Sequence, residues 1–148
     1  MRKSSNIKMV ADGLILGLVL FFSLGFLHHF VKEIWVNYLF KIIILSIFLG
    51  VYLNKYKNHL LKGDLLLKGI GKGILLSSIA STTYCLLNLL SFIINPEWAI
   101  IRQGFEVLNG FDFVLINAIY FYEMLVFGGI ISFLMVQKIQ SSTYVKQY

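Results

Sequence analysis

Very little in this sequence supports covalent, redox or metal chemistry. Its one cysteine, Cys85, excludes an internal disulfide and leaves a thiolate metal cluster without donors. Its one proline, Pro96, leaves the long apolar stretches free of the break that proline imposes on a helix. Charged residues make up only 14% of the chain, where soluble domains carry about a quarter. Apolar residues take their place: 58% of the chain is hydrophobic and thirteen residues are phenylalanine. A soluble fold of 148 residues has too little interior to hide that much apolar surface. Lipid removes the need to hide it.

Motifs for chemistry are as scarce as the residues that would build them. His28 and His29 fall where the first apolar run ends, and His59 falls in a basic connector on the opposite side. They therefore read as interfacial residues rather than a haem-binding pair at matched depth. The hydroxyl run Ser77, Ser78, Ser81, Thr82 and Thr83 has no histidine in the fourth span to act as its base. It reads as packing and back-bonding to helix carbonyls. Gly69, Gly71 and Gly73 around Lys72 lack the preceding strand and the spacing of a phosphate loop. No catalytic residue, cofactor or metal ligand is expected, and the chain does not read as an enzyme.

Four apolar runs are long enough to cross a bilayer, for which about 20 residues suffice. They cover approximately 9–27, 34–53, 73–94 and 113–136. The first follows Arg2, Lys3 and Lys8 as a signal peptide would, but it contains Asp12 and no small-residue cleavage site precedes His28. It is expected to be retained. The second must reach back to Ile34 to be long enough, which takes Asn37 and Lys41 into the helix and leaves Trp35 and Tyr38 as interfacial anchors. A connector, 54–72, alternates leucines with Lys55, Lys57, Lys62, Lys68 and Lys72, and is expected to lie at headgroup level. Asn95, Pro96 and Glu97 read as an N-cap, a first helical position and a first-turn acid. They open an amphipathic interfacial helix over about 96–109, with Trp98, Ile101, Phe105 and Leu108 on one side. The expected fold is thus an all-α, four-transmembrane-helix bundle, a single membrane domain.

Along the third long apolar segment, Gly69, Gly73, Ser77, Ser81 and Cys85 recur every fourth residue, and Asn88 extends the same face. Small side chains at this spacing let helix backbones approach closely in lipid. The stripe is expected to be the seam on which the other spans pack, with Cys85 as a packing residue.

Three ionisable residues fall inside spans. Glu123 stands near the middle of the fourth, with Tyr120 one turn before it, and Lys41 stands in the second. A carboxylate at a helix centre costs roughly 2.5–3.5 kcal/mol on insertion scales, so it should face the bundle and be paired or protonated. Both spans run in the same direction, which brings the two residues to within about 5 Å in depth. A Lys41–Glu123 pair is expected, with Asn88 and Asn117 as polar neighbours near the same level. Asp12, at the start of span one, is expected to meet Lys68 and Lys72.

The net charge of +6 would suit a nucleic-acid partner if the lysines clustered on a soluble face. Instead, the side shared by the two termini and the connector carries ten lysines and arginines, from Arg2 to Lys146. The other side carries only Lys32 and Arg102 among four acids. The positive-inside rule places both termini in the cytoplasm. The partner of the basic side is the anionic headgroup layer, where each cation gains about 1 kcal/mol. Heavy use of isoleucine, lysine and asparagine suits a bacterium with an AT-rich genome, and hence a bacterial inner membrane.

The pieces Tyr56-Lys57, Gly63, Lys72-Gly73, Ser77 to Tyr84 and Pro96-Glu97, in this order, resemble a group of small four-span bacterial inner-membrane proteins that share a domain of unknown function. That resemblance implies four spans and a basic cytoplasmic loop, and no activity. The expected role is a non-catalytic packing or accessory component, with a second copy or a membrane complex as possible partner. The alternative is a protomer of an oligomeric transporter for ions or small solutes, working through Glu123 and Lys41.

Overall fold

The computed structural model describes residues 2–31, 34–55, 65–103 and 110–144. These form five helices: α1 (Arg2–Phe30), α2 (Ile34–Lys55), α3 (Leu65–Ile94), α4 (Pro96–Gln103) and α5 (Gly110–Tyr144), with no strand among the described residues. Four of them, α1, α2, α3 and α5, are long and apolar enough to cross a membrane. The chain is an all-α, multi-pass membrane protein. Large apolar side chains face outward on every one of these helices, among them Phe22, Ile47, Leu90 and Val126. Leu16, Leu20, Leu45, Leu49, Leu76 and Met124 fill the interior. Helices apolar all round belong in hydrocarbon.

The helices form a ring in the order α1, α3, α5, α2. α3 makes the most extensive contacts, with α5 on one side and α1 on the other, and α2 closes the ring against α5 and α1. The α3–α5 contact is antiparallel and built on close approach. A Cβ added at Gly73 would overlap the Ser132 hydroxyl, one at Gly128 would overlap the Ser77 hydroxyl, and one at Gly69 would overlap Val136. Glycine on each helix therefore receives a side chain from the other. Ser132 turns its hydroxyl onto the Gly128 carbonyl at 2.6 Å, so it enters the seam already bonded. Farther along, the same register brings Asn88 to Asn117 and stacks Phe92 on Phe113, with ring centroids 4.2 Å apart.

The α1–α3 contact is parallel and similarly close. A Cβ on Gly13 would stand 2.7 Å from Ile79 Cγ2, and one on Gly17 would stand 2.7 Å from the Ala80 carbonyl oxygen. Other hydroxyls on α3 bond back to their own helix: Thr82 to the Ser78 carbonyl and Thr83 to the Ile79 carbonyl, both at 2.8 Å. This satisfies them without a partner in lipid.

Three elements add detail to the expected bounds. The third helix begins at Leu65, so the end of the stretch assigned to the headgroup layer is the first two turns of α3. Lys68 points outward while Gly69 and Gly73 turn into the bundle, so the lysine's charge and the glycines' packing coexist on one helix. The rest of that connector, 56–64, lies outside the described residues. In the short helix, Trp98 is half exposed and Ala99 is buried, because a small side chain fits where α4 turns back over α1 and α3. Its described part ends at Gln103, and Phe105 and Leu108 lie outside the described residues. The cap itself is as expected: the Trp98 backbone N–H donates to the Asn95 side-chain oxygen at 3.1 Å. Finally, α5 runs for 35 residues, well beyond 113–136. At about 1.5 Å per residue it is longer than the hydrocarbon layer, so its ends reach the headgroups.

Gly71, only two residues from Gly73, would meet nothing within 4 Å if it carried a Cβ. Gly73→Val should therefore lose about 1–3 kcal/mol or more through overpacking, while Gly71→Val should stay within about 0.5 kcal/mol. Thermal unfolding of the two purified variants in one detergent distinguishes them. Equal melting temperatures would contradict the seam.

Candidate functional site

Lys41 and Glu123 come together. Lys41 lies two turns into α2 and is only 3% exposed, with Nζ donating to Glu123 Oε2 on α5 at 2.5 Å. The two helices run in the same direction and touch, so residues at matched depth meet. The ammonium also lies 4.4 Å from the ring centroids of both Tyr38 and Tyr120. Tyr38 comes from the preceding turn of α2, and Tyr120 from the turn before Glu123 on α5. Each helix thus supplies one charge and one ring at a spacing of three residues, which puts both on one face. Tyr84 of α3 packs edge-on against Tyr120, with centroids 6.2 Å apart, and ties the cluster to the central helix. Tyr38 also interacts with the Glu123 carboxylate.

This arrangement answers the cost of putting charge in lipid. The lysine exchanges its water shell for one carboxylate oxygen and two aromatic faces, and cation–π attraction strengthens as water is removed. Glu123 is less covered, with a quarter of its side chain open at the edge of the α2–α5 contact.

Asn88 and Asn117, expected as neighbours of the pair, form a separate bridge between α3 and α5. Asn88 Nδ2 donates to Asn117 Oδ1 at 3.2 Å, and Asn117 Nδ2 donates to the Phe113 carbonyl at 2.8 Å. Both residues are buried. Cys85 does not simply fill the seam: its thiol donates to the Asn117 carbonyl at 3.3 Å. It also helps line an outward-facing groove of about 330 Å³ with Leu89, Val114, Asn117, Ala118, Phe121 and Tyr122. Gly69, Gly73, Ser77 and Ser81 of the stripe are all buried. Ser77 and Ser132 pack into the seam, while Asp12 is only partly buried near the start of α1. The side chains of His28, His29 and Arg102 lie outside the description.

Sequence reasoning missed two parts of this site. Tyr38 and Tyr84 clamp and brace the charged pair, whereas its place near the start of the second apolar run marks Tyr38 as an interfacial anchor. The signal was present in the spacing of Tyr38 to Lys41, which repeats in Tyr120 to Glu123. Gly128 and Ser132, the reciprocal half of the seam, carry the same four-residue spacing as the α3 stripe. Among the described residues no three His, Cys, Asp or Glu side chains converge as a metal site would require. Comparison with known proteins finds no matching family model, no matching curated protein and no matching solved structure.

Removing one member of the pair leaves the other buried and uncompensated. Lys41→Ala or Glu123→Ala should each cost about 3–5 kcal/mol, while Lys41→Met combined with Glu123→Leu should recover most of it. Thermal stability in detergent reads this directly. A double variant no better than the weaker single would show that the two residues are not coupled. Tyr120→Leu should cost a further ~0.5–2 kcal/mol in the wild-type background and little once Lys41 is Met, because only a cation gains from the ring face.

Proposed function

We propose that this chain is a small integral protein of a bacterial inner membrane that acts without catalysis, as a packing or accessory component of a membrane assembly. The observation that carries this reading is the closure of the charged pair. Lys41, costly to place in lipid, is taken up by Glu123 and two tyrosine rings that join α2 to α5. A residue so enclosed holds helices in register. The small-residue seams serve the same end, since they bring backbones together without forming a site for a reaction.

Both termini and the 56–64 connector are assigned to the cytoplasm. Lys8, Lys55, Lys68 and Lys138 stand exposed at the end of the bundle where the chain begins and ends, which suits anionic lipid headgroups on that side. Fluorescent-protein fusions at either terminus should both glow in cells, and alkaline phosphatase fusions at either should be inactive. Opposite results from the two ends would refute the four-span orientation.

A second reading is a transporter or channel protomer. The quarter of the Glu123 side chain left uncovered favours it, because Lys41 does not wholly enclose that acid. The two readings separate in liposomes. As an accessory component, the wild-type protein and Glu123→Gln should give the same proton leak, measured with an entrapped pH dye. Flux present in the wild type and absent from a folded Glu123→Gln variant would establish the transporter reading instead.

A further inference from the structure

Lys41, itself buried, binds one carboxylate oxygen of Glu123, whose side chain remains a quarter exposed. Its neighbour Tyr122 is 67% exposed on the same helix. Both polar groups lie inside a membrane-spanning segment, where hydrocarbon offers no hydrogen bond. A phenol can donate one hydrogen bond and a carboxylate can accept several. At 3.6 residues per turn, adjacent residues stand about 100° apart, so Tyr122 and Glu123 mark two edges of one outward strip. Between those edges lie Ile119 and Val126, 50% and 59% exposed.

We infer that a second copy of this chain docks on this strip, with the two α5 helices side by side and each Tyr122 hydroxyl donating to Glu123 of the other copy. Two copies inserted with the same orientation are related by a two-fold axis along the bilayer normal. Such an axis lays the left edge of one helix against the right edge of its mate, at equal depth. Tyr122 and Glu123 differ in depth by a single residue rise, about 1.5 Å, so donor and acceptor meet twice by symmetry. Ile119 and Val126 of the two copies pack between these bonds. The second copy thereby contributes a residue to the charged site, completing the cover that Lys41 begins. The inference rests on the reading of Lys41 and Glu123 as a fixed clamp, since the carboxylate must be held at that edge to accept from outside.

The test uses the full chain, in cell membranes for cross-linking and in liposomes for self-association, with Cys85→Ala as background. Val126→Cys should give a disulfide-linked dimer on mild oxidation, and Phe22→Cys, outward on α1, should give little. Adding Tyr122→Phe removes two hydrogen bonds per dimer. It should weaken self-association, read by energy transfer between labelled copies in liposomes, by roughly tenfold, about 1.4 kcal/mol. Equal linking from both cysteine positions, linking from neither, or unchanged association with Tyr122→Phe would each overturn the inference. Lipid alone would then cover the strip. The failures are distinguishable: loss of the clamp shows as lost coupling between Lys41 and Glu123 in thermal stability, whereas loss of docking leaves that coupling intact.

Discussion

The structure depends on how closely the backbone of α3 can approach its neighbours. In lipid, apolar side chains gain nothing by leaving one apolar surface for another, so helices associate through packing and hydrogen bonds. Gly13 and Gly17 on α1, Gly69 and Gly73 on α3, and Gly128 on α5 each leave room that a neighbouring helix occupies. The reciprocal insertion of Ser77 toward Gly128 and Ser132 toward Gly73 sets the antiparallel register of α3 and α5. Once that register is set, the positions of Asn88, Asn117, Phe92 and Phe113 follow.

The polar groups sit on this frame in two layers with different partners. The asparagine bridge joins α3 to α5, which the glycine seam already holds together. The charged pair joins α2 to α5, where close packing is sparser: a Cβ added at Gly50 would meet only the end of the Met135 side chain, at 3.3 Å. α2 has few contacts with α3, so an ion pair enclosed by tyrosines supplies what the seam does not. The helix with the weakest small-residue contact carries the charge that fastens it.

Most of the architecture was legible in the sequence because lipid imposes simple rules. Four long apolar runs with the one proline outside them led to four spans, and the four-residue repeat from Gly69 picked out the central helix. Equal depth on two helices running the same way was enough to bring Lys41 and Glu123 together. Where α3 begins was not legible, because Lys68 and Lys72 resemble headgroup residues when the burial of Gly69 between them is unknown. The α5 half of the seam was hidden among larger residues, where two small side chains stand out less than five. The tyrosine clamp was obscured because tyrosine near a span's end is ordinarily an interfacial anchor, and only the structure turns Tyr38 inward to the ammonium.

Small-residue seams hold α1, α3 and α5 together, and the Lys41–Glu123 pair ties α2 to α5. The antiparallel register of α3 against α5 within a bilayer is the arrangement on which the rest of the bundle depends. In membranes from cells expressing a Cys85→Ala background, paired cysteines replacing Asn88 and Asn117 should be joined by a short thiol-specific cross-linker. Cysteines replacing Asn88 and Met124, two turns out of register, should not. Efficient joining of the second pair in preference to the first would contradict the register and, with it, the arrangement of the bundle.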